Sequence, residues 1–487
     1  MSTSLIIIGG GIAGLAAGCY ARMNGFDTEI LEMHRLPGGL CTAWKRQGYT
    51  FDLCIHWLTG SGPGSSLYKV WEELGIVQGR TFLDLDCYTA VPLKSGDWFR
   101  IFTDPDRLRE EMLRIAPGEG PFIDEFTRDL ARMRRLYIPV DPGIRDLMRM
   151  LPALPLFRKY ALPVSELATR IRDQDFRELF VNAFDWHDQS AIFPMMMMAM
   201  MAKGEAGYPQ GGSLPVVRAL ESRFLSLGGS VRYGSCVEKI LVENDRAVGV
   251  RLEGGTELRS GLVLSAADGH STIFGWLDGR YAGDRVDYYY RSLRPFPPLV
   301  FVSLGVAGDY TREPGSFVLC PDPPELIAGK EVSRVIVRNH ADDPSLAPPG
   351  KTVFSLMVEA DWSYWRQFTY PSEEYAREKE RAGKQAVEML SKVFPDIASR
   401  VEVIDVATPL TFYRYTGNWQ GSYQGWLWTR ETANLKIPQV LRGLKNFAMA
   451  GHWTAPGGGL PGAAISARNA VKILCKMEKR PFRTTRL

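Results

Sequence analysis

The chain has 487 residues, 45% of them hydrophobic, so it is too long for one core and holds apolar material for two or three domains. A formal net charge of +3 excludes the basic bias of a strong nucleic-acid partner. Seven scattered cysteines, odd in number and without a C-x-x-C pair, exclude a disulfide framework and suit a reducing cytoplasm.

The chain opens on Leu5-Ile6-Ile7-Ile8, which reads as a buried parallel strand. Gly9, Gly11 and Gly14 follow at the G-x-G-x-x-G spacing. Gly9 permits a tight turn, Gly11 lets a pyrophosphate approach the backbone, and Gly14 lets the next helix pack close to the sheet. That helix starts near Ile12 and Ala13 and stops at Asn24-Gly25, so its N-terminal N–H groups would face phosphates. A second strand over 27–31 ends on Glu32, an acid about twenty residues past the glycines that can accept hydrogen bonds from a ribose.

Pro37-Gly38-Gly39-Leu40-Cys41, Gly48-Tyr49-Thr50-Phe51-Asp52 and Ile55-His56-Trp57-Leu58-Thr59-Gly60 come next. A helix is expected over 66–74, strands over 81–83, 88–91 and 98–102, and helices from Asp104-Pro105 and over 121–136. Neither a signal peptide nor a membrane-spanning helix is expected: glycines break residues 5–19, and no apolar run reaches eighteen residues.

Residues 138–163 crowd apolar side chains between Pro152, Pro155 and Pro163, and from Arg128 to Lys159 eight basic residues face three acids, a local charge of +5. Two readings stand open: a segment lying in a membrane interface against anionic lipid, or a helical cap packed on its own protein with a solvated basic rim. Residues 165–184 read as one helical stretch. The methionines from Met195 to Met201 read as a buried helix or as the wall of a deformable tunnel.

Tyr208-Pro209-Gln210-Gly211-Gly212 turns into a helix over 214–227, followed by strands over 230–233, 237–243, 247–252 and 256–258 and a buried strand ending at Ser265-Ala266-Ala267-Asp268. Residues 290–440 read as an antiparallel sheet domain, with aromatics gathered over 412–415 and at Trp419, Trp426 and Trp428 as core or tunnel wall. The chain closes with Ala450-Gly451-His452-Trp453-Thr454-Ala455-Pro456-Gly457-Gly458-Gly459-Leu460-Pro461-Gly462-Ala463, leading into a helix whose N–H groups could stabilise negative charge on a reduced ring system.

The run from Glu32 to Asp52, with this closing motif, resembles the phytoene desaturase-like flavoproteins of the amine-oxidase-like group, and 55–60 is more similar to their retinol saturase and carotenoid isomerase branch. The resemblance implies FAD and an α/β fold. A Rossmann-type FAD-binding domain would be built from 1–75, 205–289 and 440–480, with an inserted antiparallel-sheet substrate domain over 76–120 and 290–439 and a helical cap over 121–204. It implies cofactor contacts at Gly9, Gly11, Ala13, Gly14, Glu32, Gly39, Leu40, Val237, Ala266, Gly451, Gly459, Leu460, Gly462 and Ala463. His56 is the candidate catalytic group, with His187 and His452 behind it. Carotenoid desaturases commonly carry a histidine where this chain has Ala455, a departure from a simple desaturase.

The implied activity is hydride transfer to or from a C=C bond of an isoprenoid, carotenoid-like or other lipid, by desaturation, saturation or isomerisation. The other readings are an amine-oxidase-like flavoenzyme on a soluble substrate and a non-catalytic lipid-binding flavoprotein. A hydrophobic small-molecule substrate is expected. So is an external electron donor or acceptor, because no second dinucleotide-binding βαβ unit is visible. No nucleic acid and no metal are expected. The location expected is cytoplasmic or peripheral on the inner face of the membrane, through 138–163.

Overall fold

A computed structural model describes residues 3–141, 143–184, 189–429, 431–432, 435 and 437–486. Its organising layer is a parallel sheet in the order Ser230–Arg232, Asp27–Leu31, Ser4–Ile8, Leu262–Ser265, Phe447–Met449. Ser4–Ile8 is central, and its four apolar residues are buried, as a strand covered on both faces requires. The helix Ile12–Met23 packs on one face, with ten consecutive residues buried, and the C-terminal helix Gly459–Met477 lies against it. The last strand and last helix thus return to the first βα turn from more than 400 residues away in sequence.

A second, mostly antiparallel sheet runs Val401–Ala407, Leu299–Ala307, Lys351–Glu359, Val335–Asn339, Ser316–Leu319, Cys87–Pro92, Trp98–Phe102. The strands Cys87–Pro92 and Trp98–Phe102 come from early in the chain and join through a short parallel contact at Phe317 and Ala90. The strands expected over 88–91 and 98–102 thus join the sheet domain expected over 290–440, while the one expected over 81–83, found as Phe82–Leu83, pairs instead with Ala206–Pro209.

Helices Pro105–Ile115, Gly120–Arg134, Gln174–Asn182 and Ile192–Met201 cover the end of this sheet around a shared apolar core. The helical stretch expected over 165–184 is two helices, Val164–Ala168 and Gln174–Asn182. Asp173 breaks it by capping the second helix, accepting the Phe176 N–H at 2.9 Å. Glu119 holds the break by accepting the N–H groups of Arg172 and Asp173 at 3.0 and 2.8 Å. The aromatics at 412–415, expected within the sheet domain, lie on a helix, Pro409–Thr416, that Thr408 caps and Gly417 ends in a left-handed turn.

Candidate active site: a cavity between two helix N-termini

One cavity of about 930 Å³ runs between the parallel sheet, the antiparallel sheet and the helical cap. Of the residues expected to hold a dinucleotide, Gly9, Gly11, Ala13, Glu32, Gly39, Leu40, Val237, Ala266, Gly451, Gly459, Leu460, Gly462 and Ala463 line it. Gly14 does not, for a steric reason: a Cβ there would stand 1.8 Å from the Gly9 carbonyl oxygen, so Gly14 lets the helix sit directly on the turn.

The first turn shows what the cavity is shaped for. Gly9 has φ +98°, and Gly38 donates its N–H to the Gly10 carbonyl at 2.9 Å, which docks the 38–40 loop beside it. A Cβ on Gly11 would meet nothing nearer than the Gly38 carbonyl at 3.7 Å. The packing of the protein therefore does not require glycine there, whereas close approach of a phosphate does. No side chain caps the helix Ile12–Met23, and no acid lies in its first turn, so its free N–H groups open into the cavity. Among the described residues no lysine or arginine lines the cavity. Backbone N–H groups would carry the recognition of a pyrophosphate.

Glu32 is fixed rather than free. Its carboxylate accepts the Gly10 N–H at 2.7 Å and the His34 N–H at 2.9 Å, leaving further lone pairs toward the cavity for hydroxyl groups. Asp268, at the end of the strand Leu262–Ser265, accepts the Ser271 N–H at 2.7 Å and the Trp419 N–H at 2.9 Å. Burial pushes its carboxyl up to about 6, against the opposing pull of these hydrogen bonds. It ties the parallel-sheet layer to the 418–428 segment.

At the other end of the cavity, Gly457, Gly458 and Gly459 all take positive φ, at +96°, +66° and +72°. Two side chains hold this turn. His452 Nε2 pairs with the Gly459 carbonyl at 2.9 Å, and Gln424 Oε1 accepts the Gly459 N–H at 3.1 Å. Gly451 donates to Ser466 Oγ at 2.9 Å, which anchors the approach to the same helix. The result is a second helix N-terminus aimed into the cavity.

The remaining wall is apolar. Phe301, Met357 and Ile336 are direct cross-strand neighbours in the antiparallel sheet and form a row facing the cavity. Opposite lie Ile192, Phe193, Met196 and Met197 of the methionine helix, whose Met195, Met198 and Met201 are buried in the cap. The helix is thus both core and cavity wall. The tunnel reading fails for Trp419 and Trp426, which pack with Tyr290 and Trp453 in an aromatic cluster; only Trp428 of the three lines the cavity. The four acidic wall residues, Glu32, Glu238, Glu253 and Asp268, come from the parallel-sheet side and the strands beside it.

His56 is on the cavity wall. Burial, then the positive field of Arg338 and His340, pushes its pKa well below the usual imidazole value. Burial also lowers His452, against the hydrogen bond to Gly459, and lowers His340 to about 4. All three are neutral imidazoles at pH 7. His187 lies outside the described residues.

The pattern of the "Flavin containing amine oxidoreductase" family matches residues 12–475, nearly the whole chain. The chain belongs to this family. It is 25% identical to a neurosporene-forming phytoene desaturase of Cereibacter sphaeroides, over 96% of this chain and 94% of that one. It is 24% identical to the chloroplastic prolycopene isomerase 1 of an Oncidium hybrid cultivar, over 96% of this chain and 82% of that one. A solved oxidoreductase from Methanosarcina mazei has the same fold, with a TM-score of 0.63 at 18% identity, over 96% of this chain and all of that one. The protein is an FAD-dependent oxidoreductase with a phytoene desaturase-like sequence. The residues fit that cofactor: two helix N-termini, a glycine that only a ligand requires, and a hydroxyl-accepting acid share one cavity.

The reading of the sequence missed Gln424 and the two contacts of Asp268. The strand end at Asp268 is visible in the sequence, but its partner Trp419 is 151 residues away, and Gln424 is 35 residues from Gly459.

Proposed function

We propose that this oxidoreductase acts at a C=C bond of an isoprenoid, carotenoid-like lipid, by desaturation, saturation or isomerisation. The observation that carries the reading is the wall opposite the dinucleotide turn. The Phe301, Met357 and Ile336 row and the Met196 and Met197 face offer a substrate no ionic handle. An amine substrate would need a carboxylate there. The acids lie on the parallel-sheet side. The names of the relatives, phytoene desaturase and prolycopene isomerase, agree with a polyene.

FAD, when bound, supplies hydride acceptance or donation at the carbon–carbon bond. This chain does the rest. The Ile12–Met23 helix and Glu32 would hold the dinucleotide, and the 457–459 turn would fix the far end through Gln424 and His452. Flexible methionine side chains conform to a long apolar substrate and exclude water. His56, a neutral imidazole on the wall, would orient the substrate or relay one proton. Electrons would pass to or from an external partner.

The cap supplies the approach. In the helix Ile144–Met150 no residue is buried; Ile144 is 80%, Met148 63% and Leu147 53% exposed. Leu151 and Leu154 extend this apolar strip, and Arg145, Arg149 and Arg158 border it. That is the composition of a helix lying in an anionic bilayer surface, and it favours the interfacial reading over a packed cap. Among the described residues no helix is long and apolar enough to cross a membrane.

The test is product mass after incubation with isoprenoid polyenes in liposomes and an artificial electron acceptor or donor. Loss of two hydrogens identifies desaturation and gain of two identifies saturation. Unchanged mass with a shifted absorption spectrum identifies isomerisation. Conversion of small amines with no change in any polyene would refute the reading.

A further inference from the structure

Two of the seven cysteines sit side by side on the cavity wall. The hairpin Ala43–Arg46 with Tyr49–Asp52 pairs Ala43 with Asp52. One step toward its open end, Leu53 donates its N–H to the Thr42 carbonyl at 3.1 Å, while the Thr42 N–H turns to the Leu40 carbonyl at 3.0 Å. Counted two residues beyond the Ala43–Asp52 pair, the register sets Cys41 opposite Cys54. Their N–H groups turn away, Cys41 to the Gly38 carbonyl at 3.0 Å and Cys54 to Asp52 Oδ1 at 3.0 Å. Opposed antiparallel positions with no bond between them bring Cα atoms to about 4.5 Å, inside the range that a disulfide spans. Cys54 packs against the apolar cluster that contains Cys41, and both residues line the cavity.

We propose that Cys41 and Cys54 form a reversible disulfide under peroxide, which staples the open end of the hairpin beside the Gly38-Gly39-Leu40 loop. The two sulfurs have unequal parts. Cys54 is half-buried and Cys41 is fully buried. The contact with Cys54, then burial, holds the Cys41 thiol well above its usual range. Cys54 is therefore the sulfur that attacks peroxide first. Its thiolate takes one oxygen of hydrogen peroxide; the O–O bond breaks, and hydroxide leaves and is protonated to water. The Cys41 sulfur then attacks the Cys54 sulfenic acid. The S–S bond forms, the S–O bond breaks, and a second water leaves with the Cys41 proton. Two thiols lose two electrons, and one peroxide becomes two waters. A thiol restores the pair by exchange. In a reducing compartment such a bridge is transient and reports oxidation rather than building the fold.

The bridge closes a loop from 41 to 54 and limits the motion of a strand end that carries Leu40 and the docked Gly38. The inference does not depend on which lipid is the substrate.

The test uses the FAD-loaded protein titrated with hydrogen peroxide, digested with trypsin without reductant and read by mass spectrometry. Cleavage after Lys45 and Arg46 separates the two cysteines, so only a bridge keeps their peptides together. Conversion of the exposed Met148 to its sulfoxide marks an effective dose. The expected result is a linked peptide pair two hydrogens lighter than its parts, lost on adding dithiothreitol and absent in Cys54→Ser and Cys41→Ser. Amide hydrogen exchange over 36–55 should slow several-fold in the bridged form. The proposal is overturned if Cys54 passes to sulfinic or sulfonic acid with no linked peptide. It is equally overturned if both thiols survive once Met148 is oxidised, or if the bridged form exchanges no more slowly than the reduced one.

Discussion

Gly14 packs against Gly9 so closely that a Cβ on Gly14 would stand 1.8 Å from the Gly9 carbonyl oxygen. Three residues earlier, a Cβ on Gly11 would find only the Gly38 carbonyl at 3.7 Å. One motif thus holds a packing glycine and a binding glycine. Gly14→Ala should cost at least about 3 kcal/mol, because backbone must move, and should be read as lost soluble yield and a lower melting temperature. Gly11→Ala should fold with an apo melting temperature near that of the unaltered protein and retain at least ten-fold less FAD. Equal effects of the two on apo stability would contradict this division.

The far end of the cavity makes a parallel prediction. A Cβ on Gly458 would fall 1.3 Å from Gln424 Oε1, the atom that accepts the Gly459 N–H. Gly458→Ala should push Gln424 off its partner and tilt the helix N-terminus. Gln424→Leu removes the acceptor without adding bulk to the turn. Both should speed FAD release, measured as recovery of free-flavin fluorescence, with the larger effect from Gly458→Ala.

Asp268 makes stability depend on pH. Burial pushes its folded carboxyl up to about 6, above the ordinary aspartate range, so the folded state binds its proton more tightly than the unfolded state does. Stability from this group is greatest below the unfolded value and is lost as pH rises through about 6, by an amount on the order of 2–3 kcal/mol. Asp268→Asn cannot ionise. The unaltered protein should therefore lose more melting temperature between pH 4 and 7 than the variant does, and parallel curves would refute the assignment.

His56 stays neutral well below pH 6.5 because burial, Arg338 and His340 all oppose its charge. Its protonation should add no limb to the rate profile between pH 6 and 8. His56→Gln keeps a polar side chain but no proton relay, and should lower kcat by ten-fold or more with FAD content unchanged. A titration near 6.5 that vanishes in His56→Gln would show a more solvated imidazole than this wall allows.

Much of this was legible in the sequence because it is local. The strand, the three glycines and Glu32 follow from residues close in the chain, and Ser4–Ile8, Ile12–Met23 and Asp27–Leu31 match their expected bounds within a residue. The Gly451 to Ala463 motif was equally clear. What escaped reading depends on long-range pairing. Nothing near Trp419 announces that its N–H meets Asp268, and nothing near Gln424 announces Gly459. Trp419, Trp426 and Trp428 look alike in sequence, yet only the fold decides that two enter a core and one a cavity. The helix break at Asp173 had a local signal, a capping residue inside an apolar pattern, outweighed by the periodicity on both sides.

In the proposed function one cavity sets an apolar polyene against FAD. The most direct measurement is the visible spectrum of the FAD-loaded protein, mixed anaerobically with polyene-loaded liposomes and, separately, with small amines. The account predicts that the polyene alone bleaches or shifts the oxidised flavin band, and that Leu147→Glu with Met148→Glu slows the change by weakening liposome binding. Bleaching by an amine, with no spectral response to any polyene, would contradict it.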